Sequence, residues 1–457
     1  MTIINNALSG AIAAQASLNA SSQNIANLQT RGYTRQGALL TAVTAGYGAQ
    51  GAGSGVKLSA MLRFSDSYKT QQMWRANAEL GQRSNVQPYL TQLEQVMGND
   101  KSSISNGVDN FFKSLNAVAE DPTSGPLRGQ VVTAASALSE SFNSIYAVTR
   151  NQQLSVEQQR ASILPKFNTL VQNIASLNER ITAAGAIGTN TSGLVDERDV
   201  AIDALSQFAS IEVLEQPDGS RTISLKSGQP LVVGKMASSL STDTSSGTPV
   251  LKASFGNSSY AIDDAKMGGQ LGGLGNFERN TLLPLQTSIR EMAEQLATAV
   301  NAQLAAGNTP DGAPGKPMFQ LNGGGAGGVL SVPADYQATD LAFAAAGEPA
   351  GDSSNLQLLI GIKQKSITLS SVGSVTIGDA DTQLVGKLAI DSQQNQSLLA
   401  TATTIRRQAE DDWAATSGVN RDEEAINLVE FQNMYQANMK VLAVANTLFD
   451  ATLAMLG

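Results

Sequence analysis

Apolar positions recur with a period of seven along the first thirty residues. Ile4, Ala11, Leu18 and Ile25 mark one line, and Leu8, Gln15 and Ser22 fill the offset between them. The other end of the chain repeats the pattern. Ala425, Leu428, Gln432, Tyr435, Met439, Leu442, Asn446, Phe449, Leu453 and Leu456 alternate spacings of three and four without a break. A heptad stripe is a helix-to-helix seam. Neither stretch has the charged far side of an ordinary surface helix. Residues 1–30 carry no charged side chain, and residues 431–457 carry only Lys440 and Asp450. Both ends are therefore expected to be long helices covered by protein on most sides, with these positions at the seams.

Between them the punctuation is clear. The first helix is expected over 3–30, with Gly32 as a left-handed cap. Strands follow at 38–45 and 56–62, then helices at 65–98 and 108–120. Asp121-Pro122 stops the second of these, and Pro126 suits the first turn of a helix running to about 184, interrupted or bent at Pro165. The character then changes. Residues 211–214 and 222–225 flank Pro217-Asp218-Gly219, which reads as a hairpin turn, and further strand-like runs lie at 231–234 and 250–262. Helix returns at 277–306, with Pro284 near its start. A glycine-rich loop at 307–328 contains the run Gly323 to Gly328, and short mixed elements continue to about 376. A helix at 382–416 precedes the last, whose start is marked by Asn420 as N-cap and Asp422, Glu423 and Glu424 at the positive end of the dipole. The fold class is mainly α with a β-rich inserted domain. Its expected divisions are 1–60 pairing with 405–457, a helical core of 61–185 and 266–404 with mixed elements at 307–380, and a β-rich domain at 186–265.

Composition narrows the chemistry. A net charge of −9 opposes a nucleic-acid or acidic-membrane surface. With no cysteine and no histidine there are no disulfides, no thiolate metal sites and no imidazole base. No run of about 18 apolar residues is long enough to span a membrane. Residues 1–30 also lack the basic and apolar regions of a cleaved signal, a pattern that alone would place the chain in the cytoplasm.

Candidate motifs fail on their context. Gly46-Tyr47-Gly48-Ala49-Gln50-Gly51 has the dinucleotide spacing but leads into a strand, so no helix N-terminus follows to hold a pyrophosphate. Asp379 and Asp381 begin like a calcium loop, but Ile390 stands where its glutamate belongs, so a solvated turn is expected. Asp196, Glu197 and Asp199, with Arg198 among them, read as capping of a helix start rather than as a metal or catalytic group. Ser54-x-x-Lys57 stands alone, and Trp74 and Trp413 read as packing residues. No catalytic, cofactor or metal residue is nominated.

The residues after the first stripe carry a resemblance. Asn24-Ile25-Ala26-Asn27, then Thr30-Arg31-Gly32-Tyr33-Thr34-Arg35-Gln36, resembles the amino-terminal signature of the bacterial flagellar rod, hook and hook-associated axial proteins. The Gly-Tyr-Thr-Arg-Gln ending is similar to the branch that joins hook to filament. The closing helix agrees through Ser417 to Asn420, Asp422 to Ala425, Phe431-Gln432 and Tyr435 to Asn438. Leu194 to Asp199, Gly272-Gly273-Leu274, Leu283-Pro284, Val300-Asn301 and Asp311-Gly312 to Phe319 extend the resemblance through the interior. Arg31 departs from a common proline, Arg421 from a usual leucine and Leu304 from a frequent histidine. The chain is also short for the family, which implies that an additional outer domain is absent or reduced.

The resemblance implies a structural axial subunit without enzymatic activity or cofactor. It implies a ring-like helical layer of copies, built from terminal helices paired as a coiled coil, with the β domain outside. The partners implied are the hook protein, a second junction protein on the filament side, an export chaperone on the C-terminal helix and the flagellar type III export apparatus. The location implied is extracellular, reached unfolded and without a cleaved signal. Low charge suits helices packed side by side, and Gln432 and Asn446 are expected to set register. Three other readings remain open. One is another axial subunit, such as a hook, rod or second junction protein. Another is an adhesin or carbohydrate-binding protein using 205–262. The last is an enzyme such as a wall hydrolase, for which no carboxylate pair is nominated.

Overall fold

The computed structural model describes residues 2–43, 53–99, 103–243, 250–324 and 328–456. Helix α1 (Thr2–Ala26) leads into a hairpin of β1 (Gln36–Ala42) and β2 (Val56–Arg63). Helices α2 (Ser67–Met97), α3 (Ile104–Val118), α4 (Gly125–Ala186) and α5 (Ser192–Phe208) follow. The strands β3 (Ile211–Glu215), β4 (Arg221–Leu225), β5 (Pro230–Val233), β6 (Met236–Ala237), β7 (Ser239–Asp243), β8 (Val250–Phe255) and β9 (Ser258–Ile262) come next. The remaining helices are α6 (Gly269–Phe277), α7 (Leu283–Ala305), α8 (Ser354–Gly361), α9 (Ala380–Ser417) and α10 (Arg421–Leu456). The glycine string at 46–51 and part of the 323–328 run lie outside the described residues.

Several boundaries differ from the expected ones for physical reasons. The first helix stops at Ala26, because the segment after it makes turns, with Thr30 N–H donating to Asn27 O and Tyr33 N–H to Thr30 O. Gly32 does take a left-handed conformation, φ +78°, but it turns the chain toward the hairpin rather than capping α1. A Cβ there would lie 2.2 Å from Val200 Cγ2, so close approach also demands glycine. Helix α4 runs unbroken through Pro165, and a π-helical turn, Glu278–Leu282, joins α6 to α7 where a single start was expected.

The chain forms two compact units. The first comprises Met1–Leu80, Pro165–Ile262 and Ala402–Gly457. In it β3 to β6 make a four-stranded antiparallel meander and β7 to β9 a three-stranded one. The turn predicted at Pro217-Asp218-Gly219 is present, held by Gly219 at φ +81° and by Asp218 Oδ1 accepting from Ser220 N–H at 2.9 Å. Phe167, Val171 and Ile174 of α4, Ile202 and Leu205 of α5, and Ile223, Leu231 and Val232 of the meander are buried. Helix α4 is stitched to both sheets by asparagines. Asn178 donates to Arg221 O at 2.8 Å and accepts from Arg221 N–H at 3.0 Å, and Asn168 does the same with Leu240 at 2.9 and 2.7 Å.

The second unit comprises Gly81–Leu164 and Asp263–Thr401. Its core is helical, with Ile104, Val108, Phe111, Phe112, Leu115 and Val118 placing one whole face of α3 inside. Phe111 meets Phe112 and Phe319 edge-on at 5.3 and 5.7 Å. Asn301 explains two segments of the resemblance at once. From α7 it accepts from Met318 and Phe319 N–H at 2.9 and 3.0 Å and donates to Phe319 O at 2.7 Å.

Asp381 is not in a solvated turn. It is buried in the first turn of α9, and its carboxylate accepts from Ser105 N–H at 2.8 Å, satisfying the open N-terminus of α3. Burial raises its pKa above the ordinary carboxylate range, against the backbone N–H bonds of Ser105 and Ile104. Asp381→Ala is expected to destabilise this unit by about 1–2 kcal/mol in urea titration, while Asp381→Asn, which keeps an acceptor, stays within about 0.5 kcal/mol of the parent.

Candidate assembly surface

Helices α1 and α10 pair within the chain and run antiparallel. Asn438 lies against Gly10, and Glu423, in the first turn of α10, pairs with Arg35 beyond the other end of α1 at 2.8 Å. The face of α1 that is covered is made of small residues: Ala7, Ala11, Ala14, Ser17, Ser21 and Asn24 are buried. On α10, Glu424 and Ala445 are buried and Leu428, Phe431, Tyr435, Asn438 and Leu442 are half-buried. A Cβ on Gly10 would come within 2.5 Å of Asn438 Oδ1, so the helices approach through a glycine facing an amide.

The intramolecular seam is thus rotated from the line read off the sequence. Ala11, Leu18, Leu428, Tyr435 and Leu442 belong to both, and Ile4 is half-buried beside them. Leu8 and Ile25 are exposed, as are Gln432, Met439, Asn446, Phe449 and Leu453; the side chain of Leu456 lies outside the described residues. The amide of α10 that faces α1 at Gly10 is Asn438, whereas Gln432 and Asn446 are exposed. The cause is volume. Small residues of α1 form the close-packed line, and its larger side chains, Ile3, Leu8 and Ile12, are turned out. Helix α10 likewise leaves Ile426, Val429, Val441, Val444 and Leu448 exposed.

The signature between α1 and the hairpin works as a clasp. Asn24 Nδ2 donates to Gln36 O at 2.9 Å, while its Oδ1 accepts from Gln36 N–H at 3.0 Å and from the Tyr33 hydroxyl at 2.9 Å. Thr34 N–H donates to Asp196 at 3.1 Å, and Arg35 N–H donates to Ser417 O at 2.8 Å. The Arg35 guanidinium lies 4.6 Å over the Phe64 ring. Burial raises the Tyr33 pKa, and the charges of Asp196 and Glu424 add to it.

The acidic run on α5 is not a cap. Helix α5 begins at Ser192 with no acid in its first turn, and Asp196, Asp199 and Asp203 project at spacings of three and four from one buried face. Arg63 binds Asp196 and Asp199, each at 2.6 Å; Arg221 also binds Asp199; Arg406 binds Asp203 at 3.0 Å. Burial raises the Asp203 pKa even against the attraction of Arg406 and Arg31. Arg198, nearly inaccessible, donates to Asn178 at 2.9 Å and to Gly219 O at 2.8 Å, and burial, with Arg221 next in effect, lowers its pKa to about 10. Every carboxylate here is committed to an arginine. Among the described residues no group of three or more His, Cys, Asp or Glu is placed to hold a metal, and no helix is long and apolar enough to cross a membrane. Trp74 is buried, with Arg221 5.6 Å over its ring.

The chain is similar to known proteins. Residues 90–319 match the family described as flagellar hook-associated protein FlgK helical domain, and residues 414–455 match the flagellar basal body rod FlgEFG protein C-terminal family. Flagellar hook-associated protein 1 of Escherichia coli is 27% identical over 98% of this chain and 99% of its own length. The protein of the same name from Bacillus subtilis is 26% identical over 97% of this chain and 96% of its own. The Escherichia coli alignment runs to 548 positions against 457 residues here, so that relative has at least 91 positions without a counterpart, consistent with a shortened chain. The flagellar hook junction protein FlgK from Burkholderia pseudomallei superposes with a TM-score of 0.52 at 28% identity, over 55% of this chain and 47% of that one. With its helical domain matched across half of the sequence and its relatives aligned from end to end, the chain belongs to the flagellar hook-associated protein FlgK family.

Proposed function

We propose that this chain joins the flagellar hook to the filament and assembles through the outward faces of its paired terminal helices. Family membership gives the coarse role, a structural subunit of the bacterial flagellum associated with other flagellar components. The observation that carries the finer reading is the apolar residue left uncovered after α1 and α10 have paired: Leu8, Ile12 and Ile25 on one helix, Ile426, Val429, Val444 and Leu448 on the other. An exposed apolar stripe on a low-charge helix pair is an interaction surface. Copies of the chain cover one another there and close a ring-like helical layer, with the hook protein on one side and a second junction protein on the other. The β-rich region at 186–265 faces away from the axis. The subunit reaches the outside of the cell through the flagellar type III export apparatus without a cleaved signal. Before export a chaperone covers the apolar C-terminal helix. The terminal signature acts as a clasp rather than a contact, fixing the hairpin and α10 so that both stripes face outward together.

Gold-labelled antibody raised against 186–265 should decorate a narrow band between hook and filament, and a deletion strain should carry hooks without filaments. Label along the whole filament, or filaments of ordinary number in the deletion strain, would count against the reading.

A further inference from the structure

A cavity of about 500 Å³ lies in the second unit between α2, α6 and α9, within the size of small-molecule sites. A close approach sets its floor. A Cβ on Gly273 of α6 would come within 2.5 Å of Gln82 O on α2, so the two helices meet there because the residue is glycine. Val86, Leu90 and Phe277 give the cavity an apolar base. One wall is the π-helical turn Glu278–Leu282, which places Asn280 and Thr281 at the cavity. Such wide turns are rare in helices and recur at functional sites.

Amides from two elements show the cavity their carbonyl oxygens. Asn395 of α9 is 8% exposed, and its Nδ2 donates to Arg83 O at 3.1 Å and to Gln87 Oε1 at 2.8 Å. Both partners are acceptors, so the nitrogen is committed and Oδ1 is left at the cavity with no donor among the described residues. Asn280 Nδ2 donates to Asn276 Oδ1 at 3.1 Å, and Asn276 is held in turn by Ala265 O and Gly272 O at 2.7 and 2.9 Å. Asn280 therefore also offers an oxygen. Gln394 and the Thr281 hydroxyl add groups that donate as well as accept. The charges at the cavity are occupied: Lys387 Nζ donates to Asp391 at 3.0 Å, and Arg83 has a partner of its own.

This set selects by chemistry. Carbonyl oxygens repel an anion, the lysine beside them repels a cation, and an apolar guest would leave a nearly buried amide oxygen unmatched. Neutral hydroxyl groups satisfy all of them. Leu398, 37% exposed, adds an apolar surface for the C–H face of a sugar ring. We infer that this cavity binds a neutral saccharide. Gln82 to Leu90 span about 12 Å of α2 at 1.5 Å per residue, the length of a disaccharide. The site uses no residue of α1 or α10, so it goes beyond the assembly reading, and failure of either leaves the other standing.

Saturation-transfer NMR on the full chain tests it. The probes are maltose, cellobiose, lactose and N,N′-diacetylchitobiose, with the blocked tripeptide N-acetyl-Ala-Ala-Ala-amide as rival. Transfer to at least one disaccharide, with a Kd of about 1 mM or tighter, is the expected result. Asn280→Ala with Gln394→Ala, both at exposed positions, should weaken it about tenfold or more while the thermal melt stays that of the parent. Thr281→Val, nearly the same in shape, serves as a second variant and should weaken it in the same direction. No transfer to any of the sugars, or transfer that these variants leave unchanged, would overturn the inference. Transfer to the tripeptide alone would overturn it too, because the cavity would then take extended backbone.

Discussion

A chain carrying Leu8→Glu and Ile12→Glu is expected to fold as the parent does and to leave hooks without filaments. Both side chains are about half exposed, at 47 and 55%, and they lie on the face of α1 turned away from α10. Neither belongs to the buried core, so little packing is lost with them. Glutamate is at least as good a helix former as isoleucine, and two like charges four residues apart oppose each other by only a few tenths of a kcal/mol. Surface substitutions of this kind change stability by about 0.5 kcal/mol or less. Assembly is different, because each carboxylate must then leave water against an apolar neighbour with no cation within reach. That desolvation is several kcal/mol per ion, and about 4 kcal/mol already weakens a contact about a thousandfold. The penalty recurs at every subunit of a ring. Matching thermal melts by circular dichroism, together with loss of swimming and bare hooks in electron micrographs, is the expected pair of results. Ordinary filaments on hooks made with the variant would mean that this stripe is not the assembly element. Leu8→Gln with Ile12→Gln, polar but uncharged, should fall between the two.

That α1 presents these residues outward could not be read from spacing alone. A seven-residue repeat marks helices that pack against others, and both terminal helices were legible to within a few residues. It does not say which of two adjacent lines goes inside. Helix α1 has two, a small line through Ala7, Ala14 and Ser21 and a larger one formed by Leu8 and Ile12, one turn apart, and hydrophobicity favours the larger. Close approach favours the small one, because Gly10 and the alanines let the backbones come together. The large line is then left for neighbours, a choice that follows from the needs of an assembly and not from those of one chain.

The hairpin turn and most strands beside it were legible because glycine, proline and aspartate fix local backbone geometry, whereas β6 and β7, in a serine- and threonine-rich stretch, were not. The links between elements were not. Asn24, Asn168, Asn178 and Asn301 each reach from a helix to both backbone groups of an extended segment, and nothing local distinguishes them from the chain's other asparagines. The aspartates of α5 did leave a signal. Asp196, Asp199 and Asp203 share one helical face at spacings of three and four, the spacing of a buried stripe. Acids so arranged on a helix that also carries Ile202 and Leu205 point to cations brought in from elsewhere. Their arginines come from residues 63, 221 and 406, separations that no local rule connects.

Removing the first of those arginines should have the largest effect on stability. Arg63→Ala leaves Asp196 with a single backbone N–H and Asp199 with Arg221 alone, both carboxylates being buried. Loss of one partner from a buried ion-pair group destabilises by about 3–5 kcal/mol, because the remaining charge has lost both water and counterion. Arg35→Ala is the contrast: its ion-pair partner Glu423 is exposed and contributes about 1 kcal/mol at most, and its stack on Phe64 adds about as much again, short of the loss at Arg63. The chain has two tryptophans, Trp74 and Trp413, and both lie in the first unit, so a urea titration followed by tryptophan emission reports that unit alone. Arg63→Ala should move its midpoint well below that of the parent, while Arg35→Ala moves it less. Arg63 is also a long side chain packed in a crowded place, and its truncation removes contacts as well as charge. Adding Asp196→Asn to Arg63→Ala separates the two causes. If the unpaired carboxylate is the source, the double variant regains part of the lost stability; if the missing contacts are, the second substitution adds a further loss, and the charge hub on α5 is then only a matter of packing.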